Sequence, residues 1–286
     1  MMQNRMRNLW TLGGLSVPDL LRRTARESWE DSVFGQGGRM AFYHFLAIFP
    51  ALLVLLAIGA HVPRLGGNLQ SALGDLFSQV FPHQVSLLFQ QALNELNGHA
   101  LSGFQFAVVC AGALWAAFNA TWAMIYGLNR AYEVQERRTW WELGVTITGL
   151  TLALAVICCI AFFLVLSGAQ LQAPRALEWL VLIASVSFWF ALLYRFAPNL
   201  RDHEWRCSAP GALCALTLWI VAAYAASFYF DHVDNYSRAY GHLNGVAMLL
   251  LWLYVSNGAI LIGGEMNSEI EKAAGKRATR PEHVGS

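Results

Sequence analysis

The sequence predicts an all-α fold: a polytopic membrane protein with six transmembrane helices, plus an amphipathic N-terminal helix and amphipathic helices in one external loop. Three observations carry this. First, 56% of the 286 residues are hydrophobic and only 13% are charged, where a soluble domain carries about 25% charged residues. Second, the apolar residues gather into six runs, each near the roughly 17–25 residues that cross a bilayer. Third, 16 of the 19 lysines and arginines fall in alternate inter-span segments that share one side; Arg64, Arg175 and Arg238 lie on the other. Positive residues stay cytoplasmic during insertion, so both termini are expected in the cytoplasm.

Residues 1–39 form the cytoplasmic N-terminal tail. Within it, 18–34 opens on Pro18 and places Leu21, Ala25, Ser28/Trp29 and Ser32 at helical spacing, with arginines and acids on the other faces. This reads as a helix at the membrane surface, broken by Gly35, Gly37 and Gly38 before the first span. No cleavable signal peptide is recognisable before that span, which doubles as the insertion signal. The membrane domain covers 40–267, with spans at 41–62, 104–127, 143–167, 179–196, 209–230 and 244–266. The fourth is short. The loop 63–103 is too long for a plain turn. Leu65, Leu69, Leu73, Leu76 and Val80, then Val85, Leu88, Phe89, Ala92 and Leu96 after Pro82, fit two amphipathic helices. They cap the outer mouth or lie in the interface. Residues 268–286 read as a disordered cytoplasmic tail.

Polar residues inside the spans are the candidates for function, because hydrocarbon penalises them unless they face another helix or water. Span one carries Tyr43 and His44 near its inner end, then Pro50, which frees a carbonyl near Leu46 and either kinks the helix or lines a cavity. Span two carries a stripe of Gly112, Ala116, Asn119, Ala123 and Tyr126. It is either a helix–helix seam bonded across by Asn119 or a cavity wall. Gly211, Ala215, Ala222 and Ala226 repeat the device in span five as packing. Span six holds Ser256 and Asn257 at mid-depth and Glu265 at its inner end. Glu265 either pairs with Arg130 or Arg195, at the same depth, or serves a proton or substrate relay. In the last external loop, Tyr236, Arg238 and Tyr240 belong to the polar string FDHVDNYSRAYGHLNG. Arg238 either pairs with Asp231 or Asp234 or meets an anionic headgroup.

Several chemistries are not supported. No GxxxxGK[ST] loop is present, so transport would be passive, gradient-driven or energised by a partner. The cysteines read as small buried hydrophobes. His61, His83, His99, His232 and His242 are external but lack metal-ligand spacing, and no cofactor or metal site is expected. On the cytoplasmic side, no carboxylate or histidine cluster of metal-binding spacing and no basic groove with stacking aromatics is apparent, so nuclease chemistry and nucleic-acid partners are not expected.

Four stretches carry a resemblance: RMAFYHFLAIFPALLVLLAIG, GLNRAYEVQERRTWW, RFAPNLRDHEWRCSAPGAL and NYSRAYGHLNGVAMLLLWLYVSNGAILIGGEMN. Together they resemble the YihY/BrkB family of bacterial inner-membrane proteins, once labelled ribonuclease BN, over roughly residues 15–270. The motif positions matched are Pro50, Asn129, Arg130, Tyr132, Pro198, Asn199, Pro210, Gly211, Asn235, Tyr236, Tyr240, Gly241, Glu265 and Asn267. GGEMN stands where relatives often carry GAELN. The resemblance implies a multi-pass protein of the bacterial inner membrane in a virulence-associated family, with no agreed catalytic residues. It implies a non-enzymatic transporter or translocator of a lipid or other envelope component, without its own ATPase. Its partners would be membrane lipids and an anionic lipid-like substrate. The alternative is a non-transporting envelope scaffold. Translocation predicts a polar cavity lined by some of Tyr43, Asn119, Asn257, Tyr236 and Arg238.

Overall fold

The computed structural model describes residues 12–60, 74, 78, 83–96, 102–170, 174–200, 209–232 and 244–274. Regular structure among them is helical: a short 3-10 turn, Leu12–Gly14, then α1 (Val17–Glu30), α2 (Val33–Ala60), α3 (His83–Leu96), α4 (Gly103–Ala131), α5 (Trp140–Gln170), α6 (Arg175–Phe196), α7 (Ala209–His232) and α8 (Asn244–Ala273). Five of these, α4 to α8, are long and apolar enough to cross a membrane. The remaining expected span, 41–62, corresponds to α2, a 28-residue helix outside that set of five.

The last helix is the centre of the bundle. It packs against α7, α2, α1, α3 and α4, and 44% of its most apolar window is buried, against 17% for α5, α6 and α7. The outer helices instead present large apolar side chains outward, among them Leu114, Trp115, Leu152, Leu213 and Tyr224. Water would penalise such a surface, and lipid does not. Cys158 and Cys159 belong to it. They are exposed on α5 rather than buried, because a small apolar side chain needs no protein cover where lipid supplies it.

Close approach of backbones sets the α7–α8 seam. A side chain at Gly211 would collide with the Gly263 carbonyl and the Asn267 amide, and one at Gly263 with the Tyr194 hydroxyl and the Gly211 carbonyl. The packing role expected for Gly211 and Ala215 therefore holds. Gly112 on α4 is different: nothing lies within 4 Å of its missing Cβ. The small-residue stripe is a seam at Ala116 and Ala123, both buried, and is open at Gly112.

Two expectations about the N-terminal segment are corrected. Gly35, Gly37 and Gly38 do not break the chain; α2 starts at Val33 and runs through them. The break is the turn at Asp31 and Ser32, where Ser32 adopts a left-handed φ of 54°. Gly37 instead lets α2 approach α8, its Cβ position lying 3.4 Å from the Gly258 nitrogen. The second correction concerns α1. Ser16 caps it and Pro18 sits in its first turn. Its buried stripe is Leu20, Thr24, Glu27, Ser28 and Asp31, while Leu21 and Trp29 point outward. Leu20 packs on Met266 and Ile270 of α8, and the polar residues of the stripe are turned inward beside it, while Arg22, Arg23 and Arg26 stay exposed.

Of the loop 63–103, α3 realises the second expected helix. Val85 and Phe89 pack with Leu52, Met248 and Leu249, wedging α3 against α2 and the start of α8. The first expected helix, at 65–80, lies outside the described residues apart from Gly74 and Ser78.

These contacts predict that Gly211→Val or Gly263→Val will destabilise the purified protein by about 1–3 kcal/mol or more, as overpacking does. Gly112→Ala should leave its thermal unfolding unchanged. Fluorescence-detected thermal unfolding in detergent distinguishes the two.

Candidate functional site

The polar residues concentrate at the end of the bundle where α1, the start of α2, the ends of α4, α6 and α8 and the starts of α5 and α7 meet. We call it the basal end. α4 closes there with a left-handed turn. The Val134 N–H donates to the Asn129 carbonyl and the Glu133 N–H to the Arg130 carbonyl, the pair of bonds that ordinarily uses glycine. Here Glu133 takes the left-handed position, φ 50°, at a cost on the order of 1–3 kcal/mol.

A polar knot fastens the loop that follows. Arg138 grips Glu136 with a fork of two hydrogen bonds, Nε to Oε1 at 2.9 Å and Nη2 to Oε2 at 2.8 Å. The same Nη2 donates to the Ala197 carbonyl at the C-terminus of α6, at 2.7 Å. Asn129 donates to Glu136 at 2.8 Å and accepts from the Asn199 backbone at 2.8 Å. Burial pushes the Glu136 carboxyl up, but the Arg138 and Asn129 bonds outweigh that and hold it below the usual carboxylate range. Beside the knot is an open cavity of about 840 Å³, lined by Glu133, Gln135, Arg137, Arg138, Glu142 and Asn199. Trp140 and Trp141 stand exposed next to it, at 83% and 67%.

Behind the knot is an acidic layer. Glu27 and Asp31 lie one turn apart on the buried face of α1, and Glu133 meets them from α4. Oxygens of the three lie within 4.8 Å of one another. Lys272 of α8 binds Glu133 at 3.1 Å and Glu269 at 2.8 Å. Arg130 donates to the Asp31 carbonyl at 2.9 Å and lies 3.8 Å from its carboxylate. Glu265 enters the same layer from α8. It is 1% exposed, and neither carboxylate oxygen has a hydrogen-bond partner among the described residues. The anionic groups of this layer are all carboxylates, and Lys272, Arg130 and Arg26 are the cations that meet them among the described residues.

The predicted site residues scatter. Tyr43 packs beside the core of α2, α4, α5 and α6. Pro50 sits within the continuous α2 helix. Asn119 does not bond across to another helix. It donates to the Trp115 carbonyl of its own helix at 2.7 Å, and Asn257 does the same to Leu253 at 2.8 Å, since the carbonyl one turn back is within reach wherever an asparagine sits. Glu265 pairs with neither Arg130 nor Arg195. Arg130 is drawn to Asp31, and the Arg195 guanidinium sits over the Phe196 ring. Tyr236, Arg238 and Tyr240 lie outside the described residues. Of the predicted residues that are described, Arg130 and Glu265 are the two that lie near Asp31. Sequence reasoning missed Glu27, Asp31, Glu133 and Lys272: it found no carboxylate cluster of metal-binding spacing, whereas the fold brings three carboxylates together from distant segments. The Glu27/Asp31 spacing of four on one helix face was the available signal. Glu133 comes from about 100 residues away, where no spacing could point to it.

A bundle of long apolar helices with polar groups gathered at one end defines a multi-pass α-helical membrane protein. A family model described as virulence factor BrkB matches residues 24–285, and the chain belongs to that family. A relative from Bacillus subtilis (strain 168), named as the ribonuclease-like protein YfkH, is 29% identical over 252 residues, covering 83% of this chain and 90% of the relative. A UPF0761 membrane protein of Tolumonas auensis is 25% identical over 261 residues, covering 86% and 83%. One from Xanthomonas campestris pv. campestris (strain B100) is 23% identical over 260 residues, which is 86% of this chain but 59% of that protein. No solved structure matches the chain. Several motif positions behind the resemblance lie at the basal end: Asn129 and Arg130 in the last turn of α4, Asn199 after α6, and Gly211, whose N–H donates to Asn267 at 2.7 Å.

The knot has a pH signature. Because folding lowers the Glu136 pKa, its contribution to stability is present above about 4.5 and is lost as the pH falls through the folded value. Thermal unfolding between pH 7 and pH 3 should show that loss in the native protein. Glu136→Gln should be less stable at pH 7 and show a shallower fall below pH 4.5.

Proposed function

We propose that the protein moves an anionic, lipid-like envelope component across the bacterial inner membrane, with its basal end in the cytoplasm and no ATPase of its own. The supporting observation is the basal cavity. Its volume, about 840 Å³, lies within the range of small-ligand sites. Arg138 is committed to Glu136 and the end of α6. Arg137 is exposed in the cavity wall and makes no ion pair among the described residues, so it is the cation for a phosphate or carboxylate headgroup. Trp140 and Trp141 open α5 beside it, where indoles suit the level of lipid headgroups. The headgroup would sit in the cavity while its chains stay against the apolar surface of α5.

One observation favours the alternative, a non-transporting scaffold for envelope proteins. Asn119 and Asn257, the mid-span polar residues, are turned to their own helices, so they do not supply a polar path across the middle of the bundle.

Proteoliposomes with a fluorescent anionic phospholipid test the reading. The protein should accelerate transfer of labelled phosphatidylglycerol between leaflets, and Arg137→Ala should lower that rate about tenfold, the value of one charge-assisted hydrogen bond. No acceleration over protein-free vesicles would overturn translocation and turn attention to copurifying partners.

A further inference from the structure

Arg39 lies inside the membrane rather than before it, and three contacts fix its depth. Thr121 of α4 and Thr151 of α5 share a hydrogen bond of 2.9 Å. Arg130 is nine residues to the basal side of Thr121, and Trp140 is eleven to the basal side of Thr151. At 1.5 Å per residue the two are therefore level to within about 3 Å. The exposed pair Trp140 and Trp141 marks the headgroup level. The Arg130 bond to the Asp31 carbonyl brings the entry to α2 to that level as well. Tyr126 is one turn deeper along α4, and the Arg39 guanidinium carbon lies 4.3 Å from the centre of its ring. This charge is thus about 6 Å or more inside the headgroup level.

It also stands at the rim of the bundle. Met40 and Gly127, the next residue on each helix, are buried, and a side chain on Gly127 would lie 3.0 Å from the Met40 sulfur. The α2–α4 seam is closed there. Just outside it, Tyr126 is 43% exposed and Phe42 54%, and at this depth what they face is lipid. Arg39 is half-buried between them and makes no hydrogen bond or ion pair among the described residues. Stacking on the Tyr126 ring occupies a face of the guanidinium and leaves the five N–H donors in its plane unspent. Hydrocarbon penalises a cation held this way unless an anion joins it.

We propose that Arg39, held by the Tyr126 ring, binds the phosphate of an anionic phospholipid in the outer groove between α2 and α4. The lipid itself is the source of anions that reaches this rim, whereas a free phosphate ion would have to enter hydrocarbon. The guanidinium fork matches two phosphate oxygens, and the lipid chains lie against Phe42 and the neighbouring apolar surface. The site is separate from the basal cavity and does not rest on the translocation reading, because its occupancy is read as binding rather than as flux.

The test is a titration of the full-length, delipidated protein in detergent with phosphatidylglycerol, followed by native mass spectrometry. Phosphatidylcholine and inorganic phosphate are titrated in parallel. The expected result is one phosphatidylglycerol per chain that is retained more tightly than phosphatidylcholine and is not displaced by inorganic phosphate. Arg39→Gln should weaken its retention about tenfold, as loss of one charge-assisted hydrogen bond does. Arg39→Lys, which keeps the charge without the fork, should weaken it less. Arg137→Ala should leave this lipid in place, so failure here is distinguishable from failure at the basal cavity. If Arg39→Gln does not fold, Tyr126→Leu gives the reading, since it removes the ring that holds the guanidinium and should also weaken retention. Retention as tight as in the native protein for the folded variant would overturn the site. Equal retention of phosphatidylcholine, or displacement by inorganic phosphate, would overturn it as well.

Discussion

The enclosure of α8 is the constraint on which the rest of the structure depends. From Asn257 to Glu271 nearly every residue is buried, and this stretch mixes glycine and aliphatics with Asn257, Glu265, Asn267, Ser268, Glu269 and Glu271. A helix buried on all sides needs neighbours that come close to its backbone and neighbours that answer its polar groups. Gly211 and Gly263 meet the first need, by letting α7 and α8 touch backbone to backbone. Tyr194 and Asn267 meet the second. The Tyr194 hydroxyl donates to the Ile260 carbonyl at 2.6 Å, and Asn267 accepts from the first turn of α7.

The length of α8 explains why its polar end gathers other elements. At 1.5 Å per residue its 30 residues extend about 45 Å, well beyond a hydrocarbon core of about 30 Å. Starting from Gly245, roughly 20 residues use up the membrane thickness, which brings Glu265 to the edge. Beyond it the helix carries acids and Lys272, and the neighbours there are the polar face of α1 and the turn after α4. The inward orientation of that face follows Leu20, which is buried against Met266 and Ile270 of α8 and carries the neighbouring Thr24 and Glu27 inward with it.

The knot and the acidic layer share the same short segment, Asn129 to Arg138, and face opposite ways from it. Arg130 and Glu133 turn toward α1 and α8, while Asn129, Glu136 and Arg138 turn toward α6. Movement of α1 relative to α8 would therefore be felt at the cavity through one tight turn. That coupling is a matter of covalent proximity, since Glu133 and Arg138 are five residues apart and both line the cavity.

The helical class, the spans beyond the loop 63–103, the glycine seam at Gly211 and the second amphipathic helix of that loop were all legible in the sequence, because each depends on local period and composition. The candidate site was legible only at Arg130 and Glu265. Asn119 and Asn257 drew attention as polar residues in apolar runs, but a carbonyl of their own helix lay nearer than any neighbour. The orientation of α1 and the meeting of Glu27, Asp31 and Glu133 were decided by the tertiary structure alone. Periodicity reports which residues share a face of a helix; which face is buried depends on the surface that packs against it, and here that surface includes Met266 and Ile270 of α8, against which Leu20 sits.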